Sequence, residues 1–253
     1  MRCNTTMKFK SMILCLSTIF FITSHAGATE ESADENASNP LAKVKNTDLR
    51  YQYLDMEGGH VNDAFIDGAF MALDSLKIKY ELHYWETDLT GSSENNLESS
   101  TVKAIYFPTE GAWGEVTYRV ALGVDWILDL GDEEKGIGSG SDQLAPFAGL
   151  AMGVGGVTLI PLVQQFWDYS GEKVNTTAFR VIALKPLPNK MWAKLDAKAP
   201  VDWEHDNAIP ATAELQIGKS INKTVGLYID GLIGIGSDRP YDWGVGTGIR
   251  FSY

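Results

Sequence analysis

The sequence predicts an all-β fold, an antiparallel up-and-down transmembrane β-barrel, with twelve strands as the main interpretation. Many segments alternate apolar with small or polar residues at the two-residue period of a strand. The connections between them alternate between short and long, as in outer-membrane barrels. After residue 48 no stretch offers the ~20 apolar residues of a membrane helix. Because a bilayer supplies no water to backbone amides, a closed barrel is the remaining way to span one.

The N-terminal residues 1–28 are typical of a cleaved secretory signal peptide. Basic residues come first, an apolar run follows from 11 to about 23, and Ala26, Gly27 and Ala28 form a small-residue cleavage site. Both cysteines, Cys3 and Cys15, fall in this segment. We therefore expect an exported chain without thiol or disulfide chemistry.

The charge of the chain argues against nucleic acid as a partner. Its net charge is −12, and it becomes −15 when Arg2, Lys8 and Lys10 leave with the signal peptide. Phosphate backbones require the opposite sign. Residues 29–47 are polar and acid-rich and contain no aromatic residue. That composition predicts a disordered periplasmic lead-in, so that the barrel covers 48–253.

The last segment, 241–253, has the clearest two-faced pattern. Its even positions are small, polar or charged, with Asp242 and Arg250 among them. The odd positions form an apolar and aromatic face suited to lipid: Tyr241, Trp243, Val245, Thr247, Ile249, Phe251 and Tyr253. The aromatic end, Phe251 and Tyr253, is similar to the C-terminal signature that barrel-insertion machinery recognises. That machinery and outer-membrane lipid are the expected partners.

Eleven further segments complete the twelve strands. The segments 76–85, 115–130 and 191–204 alternate clearly, and 48–56, 62–72, 99–108, 142–154, 209–219 and 224–235 less so. Both faces of 157–169 and 176–188 are apolar, so their inward side stays open. Since 62–72 could equally form a short helix, ten strands plus a helix is the alternative. The two longest predicted loops, 88–98 and 131–141, fall at the same, external end.

The inward face collects charges of both signs. A polar conduit that selects a solute and an ion-paired, filled interior are both consistent with such a face. The candidate lumen-lining residues are Lys77, Lys79, Glu81, His83, Arg119, Asp125, Lys194, Asp196, Lys198, Asp202, Glu214, Asp230 and Arg250.

The histidines of the mature chain give no sign of catalysis or metal binding. His83 alternates into the lumen, and His60 and His205 fall in predicted loops. None is accompanied by a nucleophile motif or by metal-ligand spacing. We expect neither an enzyme nor a cofactor.

Three motifs carry a resemblance to a known family. They are QQFWDYSG at 164–171, VDWE at 201–204 and DWGVGTG at 242–248. The sequence resembles, over about 139–253, the outer-membrane barrel family named for the MetA pathway of phenol degradation. This resemblance implies an outer-membrane transporter, and the name of the family implies aromatic solutes. Its motifs are signatures of barrel strands, so they assign no ligand-binding residue.

Together these observations predict a passive channel or transporter for a small, unidentified solute in the bacterial outer membrane. One alternative is a structural or surface-binding outer-membrane protein that transports nothing. A lipid-modifying enzyme is a further alternative, in which His83 would be the essential residue.

Overall fold

The computed structural model describes residues 36–253. The predicted signal peptide lies outside the described residues, as does the first part of the predicted lead-in. The described part contains no helix long and apolar enough to cross a bilayer.

Twelve antiparallel strands form one closed barrel, which confirms the predicted fold. Each strand pairs with its neighbours in sequence, and β1 pairs with β12, for example Asp48 opposite Arg250. The segment that could have been a helix is β2, so the ten-strand alternative is wrong. The strands are β1 Asn46–Met56, β2 Gly59–Leu73, β3 Leu76–Thr87, β4 Glu94–Trp113, β5 Val116–Asp129, β6 Ser141–Val154, β7 Val157–Gly171, β8 Asn175–Leu187, β9 Met191–Asp202, β10 Ala211–Ser220, β11 Val225–Ile235 and β12 Trp243–Ser252.

Connection lengths differ between the two ends of the barrel. At the end that holds the start of β1 and the end of β12, here called the terminal end, the turns have two to four residues. The opposite end, here called the loop end, carries the longest connections, 130–140, 203–210 and 236–242. A single 3₁₀ turn, Glu133–Lys135, lies in the first of these.

Two predicted loops are shorter in the structure because the strands continue further. The loop predicted at 88–98 ends before Glu94, since β3 and β4 stay hydrogen-bonded out to Thr87 opposite Glu94. The polar residues of this segment predicted a loop. Strands that extend beyond the apolar layer of a membrane carry polar side chains, yet their backbones remain hydrogen-bonded to each other. The connection between the predicted strands 48–56 and 62–72 is shorter as well, a turn at Glu57 and Gly58, where Gly58 has a φ of 92° that a tight hairpin needs.

The outward face of the barrel is apolar. On β12, Val245, Ile249 and Phe251 are 52%, 41% and 40% exposed, and the same alternation continues around the barrel. The inward side of β7 and β8, which the pattern left open, consists of the even positions, because Ile160, Ile182 and Leu184 are buried there. Leu159, Val163 and other odd positions of these strands point outward.

Large and small residues alternate across neighbouring strands on the inward face. The Trp192 ring lies so close to Gly218 that a Cβ at Gly218 would come within 2.1 Å of it. Tyr228 covers Gly248 in the same way, at 2.2 Å. Without side chains at these glycines, the two aromatic rings lie flat against the wall inside a narrow barrel.

Candidate functional site: the barrel lumen

Residues 36–45, here called the plug segment, enter the lumen from the terminal end and fill part of it. Within this segment Leu41 and Ala42 are 1% and 0% exposed, and Ser38 and Asn39 are buried. A disordered lead-in was predicted for 29–47; the structure differs over 36–47, where it gives an ordered, buried segment that leads into β1. Composition failed here because the partners of this polar segment are lumenal side chains distant in the sequence.

An apolar bed on the inner wall receives Leu41. Its buried members come from five strands, and three partly buried residues pack against them, Met71, Phe147 and Leu162. The buried members are Ile105, Phe107, Ala121, Ala151, Ile160 and Ile182. Burial of a leucine in such surroundings contributes about 1.5–3 kcal/mol.

Basic residues of the wall hold the backbone of the plug segment. Lys77 Nζ donates to the carbonyl oxygens of Ala42 and Pro40, at 2.6 and 3.1 Å. Arg119 Nη1 donates to the carbonyl of Leu41 at 3.1 Å. These bonds turn the cations toward the plug segment, and each charge-assisted bond contributes about 1.5–3 kcal/mol.

The start of the plug segment is tied to the closing strand. Arg250 Nη1 donates to Ser38 Oγ at 2.8 Å, and Ser38 Oγ donates to Gln216 at 2.8 Å. Arg250 also forms a buried ion pair with Asp48, whose carboxylate accepts a further hydrogen bond from the Tyr228 hydroxyl at 2.9 Å. The same arginine therefore joins β12, β1 and the plug segment.

A chain of ion pairs continues toward the middle of the barrel. Arg50 lies 3.2 Å from Asp230 and 4.0 Å from Glu214. Lys194 lies 2.7 Å from Glu214 and 3.8 Å from Asp196. Since each carboxylate faces at least one cation, this side of the lumen is neutralised rather than uniformly charged.

A second set of polar residues lies on β2, β3 and β4. His83 Nδ1 is 2.9 Å from Asp63, its Nε2 is 3.9 Å from Glu81, and its ring stacks on Phe65. Ser99 is the cross-strand neighbour of His83, yet its hydroxyl donates to Glu98. Among residues 36–253, therefore, no nucleophile forms a hydrogen bond to this histidine, as acyl transfer would need.

A pocket of about 420 Å³, which includes space open to solvent, lies in the lumen beside the plug segment. It is lined by Pro40, Leu41, Lys103, Phe147, Leu162, Gln164, Ala178, Arg180 and Lys198. Among the described residues, no cluster of His, Cys, Asp or Glu could hold a metal ion.

The candidate lumen residues all stand on inward positions of their strands. Lys77, Arg119 and Arg250 meet the plug segment, and Lys194, Asp196, Glu214 and Asp230 belong to the chain of ion pairs. Asp125 pairs with Lys103, Lys79 with Glu81, and Asp202 with His205. Lys198 lines the pocket. Whether a solute contacts any of them stays a prediction.

Several lumenal residues were missed. Asp48 and Arg50 alternate with the outward Leu49 and Tyr51, a pattern that was readable in the sequence. Arg180 sits between Phe179 and Val181 on a strand with no clear parity, but a charge on a membrane-crossing strand is expected to face inward. The plug residue Leu41 gave no such signal.

Solved outer-membrane channels have similar folds. The COG4313 outer membrane channel from Pseudomonas putida F1 matches with a TM-score of 0.65 at 7% identity, over 83% of this chain and 96% of that one. The NanC porin matches with a TM-score of 0.61 at 11% identity, over 82% and 98%. The KdgM porin matches with a TM-score of 0.56 at 10% identity, over 82% and 99%. At these identities the likeness shows the barrel fold.

The fold is also found in an enzyme. Outer membrane phospholipase A from Escherichia coli matches with a TM-score of 0.50 at 15% identity, over 87% of this chain and 95% of that one. No family model matches the sequence, and no curated protein matches it. The resemblance to the MetA-pathway family and the expectation of a non-enzyme therefore stay predictions.

Proposed function

We propose that the chain is an outer-membrane channel through which a small solute diffuses, and that the plug segment controls its terminal half. The observation that carries the proposal is the division of the twelve strands into an apolar outward face and a charged inward one. The first suits lipid and the second suits water and polar solutes. In this proposal the terminal end faces the periplasm of a bacterium, after export by the signal peptide.

Movement of the plug segment is part of the proposal. Leu41 occupies space that a solute would need, among inward residues of five strands. The strand ladder begins only at Asn46, so residues 36–44 can leave the lumen without opening the barrel. Their retention depends on Leu41 and on side-chain contacts. Lys77, Arg119 and Arg250 donate hydrogen bonds to the segment. Within the segment, Ser38 donates to Gln216, and Lys43 pairs with Glu110 at 2.8 Å.

Planar-bilayer recording of the refolded mature chain tests the proposal. A matched variant begins at Asn46 and lacks the plug segment, and gel mobility with and without heating verifies folding of both. We expect steady current from the truncated barrel and smaller or intermittent current from the mature chain. If both fold but neither conducts or admits solute to liposomes, the chain is not a channel.

A protein that transports nothing is the second candidate function, and the paired lumenal charges together with the buried plug segment favour it. Its activity would reside in the loop end, above all in residues 130–140. Replacement of that loop by a short turn should then abolish partner binding at the cell surface. A channel would keep its conductance in the same variant.

A further inference from the structure

The pocket beside the plug segment has an unusual charge balance. Three cationic side chains line it, Lys103, Arg180 and Lys198, and its lining contains no carboxylate. Lys103 is 2.8 Å from Asp125, and Arg180 donates two hydrogen bonds to Asp196, at 2.8 and 2.6 Å. These two carboxylates leave one of the three cations without a counter-charge.

The cation without a counter-charge is Lys198. Within residues 36–253 its ammonium group forms no hydrogen bond and no ion pair, and it lies over the Phe166 ring, 5.3 Å from the ring centroid. Lys198 is partly buried. A cation–π contact contributes less than a carboxylate would, and a charge partly withdrawn from water gains from a partner of opposite charge. Lys198 therefore has an unused capacity for an anion.

Strand register adds an independent reason for an anion here. Arg180 on β8 and Lys198 on β9 are direct cross-strand partners. Like charges in directly opposed positions destabilise a sheet. An anion held between the two side chains would turn this repulsion into two attractive contacts.

The opposite side of the pocket is apolar. Phe147, Leu162 and the plug residue Leu41 belong to one packed cluster, and Ala178 adds a small side chain beside Gln164. An inorganic anion would leave this surface without a partner. An organic anion with an apolar body would cover it and gain the free energy of apolar burial.

From this geometry we infer that the pocket binds a small organic carboxylate with an apolar body. The carboxylate lies between Arg180 and Lys198, and the body packs on Phe147, Leu162 and Leu41. The inference rests on the proposed channel, because a solute that diffuses through the lumen would pass this pocket. Binding itself requires only the folded barrel, so the two proposals can fail separately.

Fluorine NMR of 4-fluorobenzoate with the refolded mature chain tests the inference. We expect a saturable change in shift or line width with protein, and binding at least tenfold weaker for 4-fluorobenzyl alcohol, which has the same ring without the charge. Fluoroacetate, which has the charge without the ring, should also bind at least tenfold weaker. Equal binding of 4-fluorobenzoate and either reference compound would overturn the inference.

Three single-residue variants test whether 4-fluorobenzoate binds in this pocket. Lys198→Met keeps the length of the side chain, removes the uncompensated charge and should weaken 4-fluorobenzoate binding at least tenfold. The matched control is Lys219→Met, an exposed lysine on the outward face of β10, which should bind as the unaltered chain does. Ala178→Leu fills the pocket without touching a charge and should also abolish binding, so it serves as the test if Lys198→Met does not fold.

The outcomes separate the two proposals. Benzoate binding that depends on Lys198, in a barrel that passes no current, would leave the carboxylate site standing and remove the channel. Conductance with unchanged binding in Lys198→Met would remove the carboxylate site and leave the channel.

Discussion

Truncation of Leu41 to alanine should release the plug segment without damage to the barrel. Leu41 is 1% exposed and lies among the apolar inward residues of β4 to β8. Loss of a buried leucine side chain costs about 2–5 kcal/mol. Because the strand ladder begins at Asn46, this cost falls on docking of the segment. The ratio of docked to undocked segment should therefore fall about 30-fold to a few thousand-fold.

The assay is the open probability of single channels in a planar bilayer. The matched control is Leu49→Ala, the same chemical change on the outward face of β1, where the leucine is 48% exposed. We expect long openings for Leu41→Ala and unchanged gating for Leu49→Ala, with equal resistance of both barrels to heat in detergent. If the two variants gate alike, Leu41 does not anchor a closed state and the reasoning fails.

Three further changes probe the barrel wall and the loops. Arg250→Met removes one partner of a buried ion pair and leaves Asp48 uncompensated, so it should lower the free energy of unfolding by about 3–5 kcal/mol and lower the unfolding temperature in detergent. Arg239→Met removes one partner of an exposed loop pair and should cost less than about 1 kcal/mol. Equal losses in the two variants would contradict the argument. Ile229→Arg puts a charge at the middle of the outward face of β11 and should destabilise the barrel in vesicles by about 2–4 kcal/mol. Ile221→Arg, in a terminal-end turn, should destabilise it by about 0–1 kcal/mol. Equal costs for the two variants in urea titrations would argue against a lipid layer around β11. The pKa of Asp238 lies below its ordinary value because the backbone N–H of Ile209 donates to its carboxylate at 2.9 Å. This contact between two loops therefore contributes fully to stability above pH ~3.9, and its contribution is lost as the pH falls through the lowered pKa. Titration of the Asp238 carboxyl by NMR checks the direction, and an unshifted value would contradict the contact.

The barrel was predictable because lipid imposes a period-two pattern that local sequence must obey. On β12 the alternation of Val245, Ile249 and Phe251 with glycines and Arg250 is complete, and its face assignment follows directly. On β7 and β8 the inward residues are themselves apolar, since Ile160 and Ile182 pack on the plug segment rather than on water. The pattern lost its contrast there because two apolar environments, lipid and an apolar bed, lie on opposite sides of the same strand.

The plug segment was not predictable from its composition. Ser38 and Asn39 are polar, yet they are buried, and Arg250 and Gln216, which hydrogen-bond Ser38, lie far along the chain. The excess of positive charge around Lys198 was not predictable either, because Arg180 lies on β8, whose inward face the sequence pattern left open. Long-range pairing decides such sites, and a single sequence does not record it.

The role of Arg250 has a consequence for the order of assembly. Its bonds to Ser38 and Asp48 join residues 212 and 202 positions apart, so they cannot form until the last strand has met the first. Closure of so long a loop carries a large entropy cost and comes late in folding. Docking of the plug segment should therefore follow the pairing of β1 with β12. A fluorophore near Ser38 would then report when a newly inserted barrel has closed.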